Sequence, residues 1–453
     1  MKVITTSRQS AEQELRRLRE KLSFREGVVT EAARRKTIEA FGRPLTPVEV
    51  VKTIIADVRK RGDAAVLEYM AKIDGVRLKA RQVPVRPAEM AAGAGRVSRE
   101  LLDALRLAKR NIALFQHKIK PKEWEFLREG ARTVGVRHTP VESVGVFVPG
   151  GTAVLCSSLL MSVIPAQVAG VERIVVATVA RRDGTITDEL LAAAHVAGVK
   201  EMYRVGGVAA IAALAYGTKT IPRVDKVVGP GNTFIQLAKR EVFGDVGIDF
   251  FAGPSEIVII ADDSARPEFV AADLLSQAEH APGVAILLTH SKGLARKAQD
   301  AVAKQLAALP RSTQARESLD NYGAIVITSG VEESVRIANE LAPEHLELCV
   351  RDAQKALGKV RNAGAIFVGH YTPESVGDYV AGPSHVLPTG GTARFFSGLS
   401  VYDFMKRSSV ISYARSALLA QAKAVEQIAK AEGLDGHARS VSIRTSTRQA
   451  EHR

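Results

Sequence analysis

The sequence predicts an α/β protein whose parallel sheets are covered by helices, with helical appendages at both ends. Three observations carry this. Short β-branched runs alternate with helical patterns from Val144 to roughly Val368, and alternation of that kind builds parallel sheets with helices across their faces. The number of alternating units exceeds one comfortable sheet, so two α/β domains are expected. Outside this stretch the strand pattern lapses. At the N-terminus Leu15, Leu18 and Leu22 recur at helical spacing and predict an amphipathic helix over residues 9–23. Residues 47–120 read as helices interrupted by a short extended piece, Val83 to Val85. The β runs follow in order: Val144–Val148, Ile174–Val179, Lys226–Val228, Glu256–Ala261, Ala285–Thr289, Ala324–Thr328 and Ala365–Val368. From about Leu399 the chain turns helical. Leu418, Ala422, Val425 and Ala429 line one face of a helix from Ala414 to Glu432, which Gly433 and Gly436 stop.

With 453 residues, 46% hydrophobic and 25% charged, the chain has material for more than one core without disulfide or metal staples. Its two cysteines, Cys156 and Cys349, stand far apart. They exclude a disulfide framework and a thiolate zinc site, and fit a reducing, cytoplasmic setting. The opening Met-Lys-Val-Ile-Thr-Thr-Ser-Arg leads into charged helix with no apolar core of a secretory signal. Ser143 to Val171 carries no charge, but Pro149, Gly150, Gly151, Pro165 and Gln167 break it as a membrane span. It reads as strand, glycine turn and buried helix, and no membrane partner is expected. The net charge of +14 raises nucleic acid as a partner. The basic residues, however, are dispersed and interleaved with acids, as in residues 14–26, and only one Trp is present. Solvated helix faces account for them, so no nucleic-acid partner is expected.

Neither G-x-G-x-x-G after a strand nor the phosphate-loop motif G-x-x-x-x-G-K-[ST] occurs. Glycine turns follow strands at Val148-Pro149-Gly150-Gly151-Thr152 and at Gly229-Pro230-Gly231-Asn232-Thr233. Both lead into helices, whose first N–H groups can meet an anion. Strand-to-helix turns also need glycine for geometry alone.

Four constellations bear chemistry. In Asp273–His280, Gln277 and His280 are three apart and leave one face of a helix that Pro267 can start. Such a pair suits a metal, and equally a structural His near a helix end. Glu344 and His345 follow Pro343, which ends the preceding helix. Placed side by side at the carboxyl end of an αβ unit, they make an acid/base pair, or a helix-end His beside a solvated Glu. The polar stretch Pro373–Pro388 follows a strand, where α/β ligand sites form. It offers Asp378 as a hard ligand and His385 as a ligand or supporting group. Glu432 falls three residues after Ala429 on the apolar stripe of its helix. A carboxylate there is costly unless paired or used, or unless the helix end is simply exposed.

Taken together, Val148-Pro-Gly-Gly151, Val228-Gly-Pro-Gly-Asn232, Ala252-Gly-Pro-Ser-Glu256, Leu275-Ser-Gln-Ala-Glu-His280, Ala342-Pro-Glu-His345 and Ser375-Val-Gly-Asp-Tyr379 resemble, in order and spacing, the signature blocks of the histidinol dehydrogenase family. The resemblance runs over nearly the whole chain. It implies two incomplete Rossmann-like parallel-sheet domains with small helical N- and C-terminal domains. The expected partition is a helical extension at 1–44, a discontinuous first α/β domain of 45–146 and 256–398, a second, NAD-binding α/β domain at 147–255, and a helical dimer-contact domain at 399–453. It further implies zinc held by Gln277, His280, Asp378 and His437, a set suited to a borderline cation. Ser255 and Glu432 would contact the substrate together with Gln277, His280, His345, Asp378 and His437. His345 would take the hydroxyl proton, and Glu344 would activate water on the aldehyde. The implied reaction is NAD-linked oxidation of L-histidinol to L-histidine through the aldehyde. An intertwined homodimer would make Glu432 and His437 act in the partner's site.

The cofactor positions depart from the family pattern. Asn232 keeps the dinucleotide contact, whereas Phe147 stands where a tyrosine is usual and Ala209 where a glutamine is usual. Three rival readings remain open at this point. A relative oxidising another polar alcohol, such as a sulfonated diol, has no need of Glu432 to bind an imidazole. A zinc hydrolase lacks its usual H-E-x-x-H here, and a non-enzymatic binding protein leaves the Glu–His pair unexplained.

Overall fold

A computed structural model describes residues 1–7, 11–22, 31–150, 155–251, 253, 255–280 and 283–446. Gly151 and Thr152 of the first glycine turn, and Ala252 and Pro254 of the Ala-Gly-Pro-Ser-Glu block, lie outside these residues. The strands in chain order are β1 (Lys2–Thr5), β2 (Pro84–Val85), β3 (Trp124–Glu129), β4 (Arg132–Pro140) and β5 (Ser143–Val148). Then come β6 (Arg173–Thr178), β7 (Glu201–Arg204), β8 (Lys226–Val228), β9 (Gly247–Ile248) and β10 (Ser255–Ala261). The last are β11 (Gly283–Thr289), β12 (Ala324–Ile327), β13 (His345–Cys349), β14 (Ala365–Val368) and β15 (Met405–Tyr413).

Two six-stranded sheets form the body. One runs β1-β12-β11-β10-β13-β14, all parallel. The other runs β2-β7-β6-β5-β8-β9, parallel except for the edge strand β2. In each, the first long strand (β10 or β5) is followed by two neighbours on one side, after which the chain crosses to the other side. Each sheet therefore has a switch point, at β10/β13 and at β5/β8, where a crevice opens. Burial on both faces explains the continuous apolar runs: Val258, Ile259, Ala285, Ile286, Leu287 and Leu288 are fully buried. Each such Val, Ile or Leu contributes roughly 1.5–3 kcal/mol relative to exposure.

The regions group differently from the expected partition. The helix Pro47–Arg61 buries Val50, Val51, Ile54, Ile55 and Val58 in the core of the β5 sheet, not the β10 sheet. Its start is fixed by a capping box, with Thr46 accepting from the Glu49 N–H and Glu49 from the Thr46 N–H. Strand β2 joins the same sheet through β7. Residues 47–119 thus belong with 143–248, because their apolar stripe fits there. The N-terminal segment is not purely helical either, since β1 extends the β10 sheet beside β12. Helix Ala11–Leu22 follows, with Leu15 and Leu18 buried.

A second compact unit comprises Lys120–Pro140 and Met405–Arg453, against a first unit of Met1–Ile119 and Val141–Phe404. The C-terminal region is therefore not helical throughout. Strand β15 pairs with β4 over nine residues, and β4 with β3, in an antiparallel sheet. Strands β3 and β15 are largely exposed and β4 is half-buried along most of its length, so no alternating burial marked them in the sequence. Helices Arg415–Ala431 and Asp435–Ser446 complete this unit. Among the described residues no helix is long and apolar enough to cross a membrane.

Helix Pro87–Arg96 approaches helix Asp188–Ala197 most closely at Gly93, where an added Cβ would lie 2.4 Å from Leu191 Cβ. Neither atom can rotate away. Gly93→Ala is therefore expected to destabilise by about 1–3 kcal/mol through overpacking, which outweighs its gain in helix propensity. At Gly95, in the same helix, nothing lies within 4 Å, so Gly95→Ala is expected to stabilise by about 0.5–1 kcal/mol. Thermal unfolding of the two variants should move Tm in opposite directions.

Candidate active site

Strands β10 and β13 are neighbours in parallel register, with Ile257 opposite His345. The helix Val331–Leu341 stops at Ala342, which sits in the left-handed region at φ 51°. Pro343 follows, and the strand begins at His345. The acid/base pair consequently stands at the amino end of β13, where the chain enters the strand. Ala342 is the sole positive-φ residue other than glycine among the described residues. Such a conformation costs about 1–2 kcal/mol, and it aims Glu344 and His345 inward.

Both side chains are buried, at 6% and 3% exposure. Glu344 Oε2 accepts the Glu256 N–H at 2.9 Å, and the Ser255 side chain also bonds this carboxylate. His345 Nδ1 lies 3.0 Å from the Glu256 carbonyl oxygen. A carbonyl can only accept, so Nδ1 carries the proton and Nε2 is left to face the site. Nε2 is buried without a hydrogen-bond partner and lies 3.6 Å from Asp378 Oδ1. Burial pushes Glu344 up to about 7, helped by the Asp378 charge and opposed by His345 and the Glu256 N–H. Burial works against charge on His345, but Glu344, Asp378 and Glu374 outweigh it and push the imidazole up to about 10.

Gln277 lies on the last turn of helix Pro267–Ala278, and His280 just beyond its end. Gln277 Nε2 and His280 Nδ1 are 3.1 Å apart, while Gln277 Oε1 is buried with no hydrogen-bond partner. His280 is solvent-accessible, yet protein crowded around its ring disfavours the charged form and lowers its pKa despite the pull of Asp378. Asp378 comes from the short helix Glu374–Tyr379. Burial opposes its ionisation, but His345, His385 and His280 hold its pKa below the usual value. His385 is no free ligand: Nδ1 bonds the Asp378 carbonyl at 2.7 Å and Nε2 meets Ser158 Oγ at 2.9 Å. It supports the Asp378 backbone instead. Glu432 and His437 belong to the second unit, where both are exposed.

Several carboxylates were not singled out by spacing. Glu374 brings a ligand atom within 4.8 Å of those of His345 and Asp378. Its Oε2 accepts from Ser276 at 3.1 Å, and burial pushes it up to about 7. Glu347 accepts the Glu374 N–H at 2.9 Å and hydrogen-bonds Asp273. Two bonded carboxyls share a proton, and burial raises both, Asp273 to about 6. Glu256 accepts the Gly390 N–H at 2.8 Å. Burial and then the Glu344 charge push it up to about 8. In the sequence each of these is one more acidic residue. Only the inward direction of β13 and its neighbours makes them a set.

A separate cavity of about 1070 Å³ lies at the carboxyl ends of β5 to β8, lined by Phe147, Gly150, Ala209, Gly231 and Asn232 among others. The three cofactor positions expected from the sequence thus meet at one switch point. Phe147 and Ala209 are buried in its wall. Asn232 Oδ1 caps the helix Thr233–Val242 by accepting from Phe234 and Ile235, which leaves the amide NH2 for another acceptor.

The Glu256 pKa gives a stability test. In the unfolded chain Glu256 ionises near 4.5 and in the folded protein near 8. Between these values the native state holds the extra proton, so stability falls as pH rises. Glu256→Gln mimics the protonated form and lacks this loss. Its Tm, relative to the wild type, is expected to rise steadily between pH 5 and pH 8, as read by calorimetry.

Residues 45–445 match the model of the family described as histidinol dehydrogenase. The histidinol dehydrogenase of Geobacillus kaustophilus is 51% identical over 395 residues, covering 87% of this chain and 93% of that protein. That of Rhodopirellula baltica is 44% identical over 439 residues, covering 97% and 95%. The crystal structure of histidinol dehydrogenase from Elizabethkingia anophelis superposes with a TM-score of 0.89 at 33% identity, covering 98% of each chain. The chain belongs to the histidinol dehydrogenase family of oxidoreductases.

Proposed function

We propose that this enzyme oxidises L-histidinol to L-histidine in two NAD-linked steps through L-histidinal, with one zinc ion at each site. The observation that carries the reading is the meeting, around one face of β13, of the Glu344–His345 pair with Asp378 and the orphaned Gln277 Oε1. A buried amide oxygen without a donor is what a cation would satisfy. Gln277, His280 and Asp378 would hold the zinc, with His437 of a second copy completing the set. When bound, zinc supplies a positive template for the substrate's imidazole and amine nitrogens. NAD in the switch-point cavity serves as hydride acceptor in each step.

The chain's own residues handle the protons. With a cation held at Asp378 to offset the carboxylate charge that raises His345, Nε2 is left neutral to take the hydroxyl proton in the first oxidation. Glu344, raised towards neutrality and steadied by Ser255, takes a proton from the water that adds to the aldehyde. Each oxidation removes one hydride and one proton. Glu432 of a second copy meets the substrate imidazole. Exposed apolar residues on both faces of the second unit's sheet support a homodimer: Trp124 is 42% and Phe126 43% exposed on one face, Leu127 60% and Ile411 71% on the other. Two free cysteines fit a reducing cytoplasm.

Purified protein with zinc, L-histidinol and NAD should yield about two NADH per histidine, from the hydride count above. Turnover of another alcohol but not histidinol would refute the substrate. Removing metal by chelation should abolish turnover, and zinc should restore it. Glu344→Gln should slow histidinal oxidation by about 10²–10⁴-fold, the usual worth of a general base, while sparing the first step. Equal loss of both steps would overturn the division of roles.

A further inference from the structure

The cofactor turn and the start of β10 are tied by a buried cation that the chemistry above does not use. Lys239 lies on the helix Thr233–Val242, and its side chain is 1% exposed. Its Nζ donates to Gly229 O at 3.0 Å, to Phe250 O at 3.0 Å and to Asp249 Oδ1 at 2.6 Å. An ammonium has three protons, and here each has an acceptor. The partner carboxylate is fully buried as well, and its other oxygen, Asp249 Oδ2, accepts the Gly229 N–H at 2.9 Å. Both backbone groups of Gly229 are thereby taken up by one ion pair.

Gly229 opens the turn Gly229-Pro230-Gly231-Asn232 between β8 and its helix. The turn has no slack on its other side. Gly229 has φ 123°, and an added Cβ would lie 2.1 Å from the Phe147 carbonyl oxygen. Further along, Gln236 Nε2 holds the Gly231 carbonyl at 3.2 Å. Phe250, on the other arm of the tether, lies in the segment that leaves β9 and enters β10 at Ser255. Lys239 therefore fastens the turn of the cofactor cavity to the segment that delivers Ser255 to Glu344.

We propose that Lys239 is a positioning residue that sets the dinucleotide turn against the acid/base pair, with Asp249 as its counter-ion. The proposal rests on reading the β5/β8 cavity as the dinucleotide site. The charge pairing by itself adds little to stability, since well-packed apolar residues commonly replace a buried ion pair at little cost. What Lys239 and Asp249 add is the bonding of three backbone groups of Gly229 and Phe250. What apolar residues cannot do is hold three carbonyl and carboxylate acceptors on two chain segments at fixed distance. An error of about 1 Å in that distance can cost on the order of 10²-fold in rate.

The test compares the wild-type protein with zinc, the double variant Lys239→Met/Asp249→Leu, Lys239→Arg and Asn232→Ala. Measured are Tm, zinc content, Kd for NADH by calorimetry, and kcat and KM for NAD. The double variant removes both charges together. Because the Gly229 N–H and the Gly229 and Phe250 carbonyls lose these partners, it is expected to melt several degrees below the wild type while folding and keeping its zinc. Its Kd for NADH should rise at least about ten-fold and its KM for NAD with it, with a smaller fall in kcat. A folded double variant whose Kd stays within two-fold of the wild type overturns the proposal. Should the double variant fail to fold, Lys239→Arg decides. Its planar fork cannot serve all three acceptors, so a ten-fold rise in Kd supports the tether and an unchanged Kd refutes it. Asn232→Ala separates the two claims. If it weakens NADH binding while the Lys239 variants do not, the tether is wrong. If neither changes Kd, the cavity is not the dinucleotide site.

Discussion

The site depends on strand β13 sending polar side chains into the interior of a parallel sheet. His345, Glu347 and Cys349 alternate onto one face, and each is nearly inaccessible to solvent. Burying charge this way is costly unless protons and donors compensate it. Here both do. Backbone N–H groups of Glu256, Glu374 and Gly390 meet Glu344, Glu347 and Glu256 in turn. The Asp273–Glu347 pair shares a proton. The His345 imidazole lies where Glu344, Glu374 and Asp378 converge. Desolvation thus gives Glu344 a pKa near 7, where a carboxylate can act as a base and still release its proton.

Topology decides where this face can be used. Each sheet has its own switch point, and one would expect two ligand sites at strand carboxyl ends. Only the β5 sheet follows that expectation, with the cavity beyond β5 to β8. In the β10 sheet the chemistry lies at the amino ends of β10 and β13. Residues 249–254 account for the difference. They leave the β5 sheet at the carboxyl end of β9 and enter the β10 sheet at the amino end of β10. A link this short cannot span more than about 20 Å, so opposite ends of the two sheets are kept near one another. On the proposed reading, a hydride donor beside the Glu344–His345 pair and an acceptor in the cavity need that proximity, and neither sheet alone supplies it.

What could be read from the sequence follows the same physics. Strands buried on both faces, such as β10 and β11, appear as unbroken apolar runs and are legible. Strand β7 (Glu-Met-Tyr-Arg) and strands β3, β4 and β15 are not. Strand β7 is only four residues long and mixed in character, β15 pairs with β4 from far off in sequence, and β3 and β15 have almost no buried positions to mark them. The site was legible where spacing is local, as for Gln277 with His280 and Glu344 with His345. Glu256, Glu347 and Glu374 were not, because a buried carboxylate differs from a surface one only in its surroundings. Lys239 was hidden for the same reason, as one cation in a helix that also carries Arg240. His385 shows the converse, a residue of ligand type whose two nitrogens are already spent on Ser158 and the Asp378 backbone.

The departures at Phe147 and Ala209 gain meaning from this arrangement. Phe147 offers a ring without a hydroxyl, and its backbone oxygen abuts Gly229. Ala209 offers a methyl group where an amide is usual. Neither side chain can offer the hydrogen bond that a tyrosine hydroxyl or a glutamine amide could, a bond worth about 1 kcal/mol. On the proposed reading of this cavity as the dinucleotide site, what remains to bind the ligand is largely backbone geometry: the turn at Gly229–Asn232, the helix it opens and the Asn232 amide. Backbone groups cannot reorient to reach a ligand as side chains can, so their contribution depends on where the turn is held. In this chain that task falls on glycine close to Phe147 on one side and on the Lys239–Asp249 pair on the other. The fewer side-chain contacts the proposed dinucleotide site keeps, the more its affinity would rest on that buried ion pair.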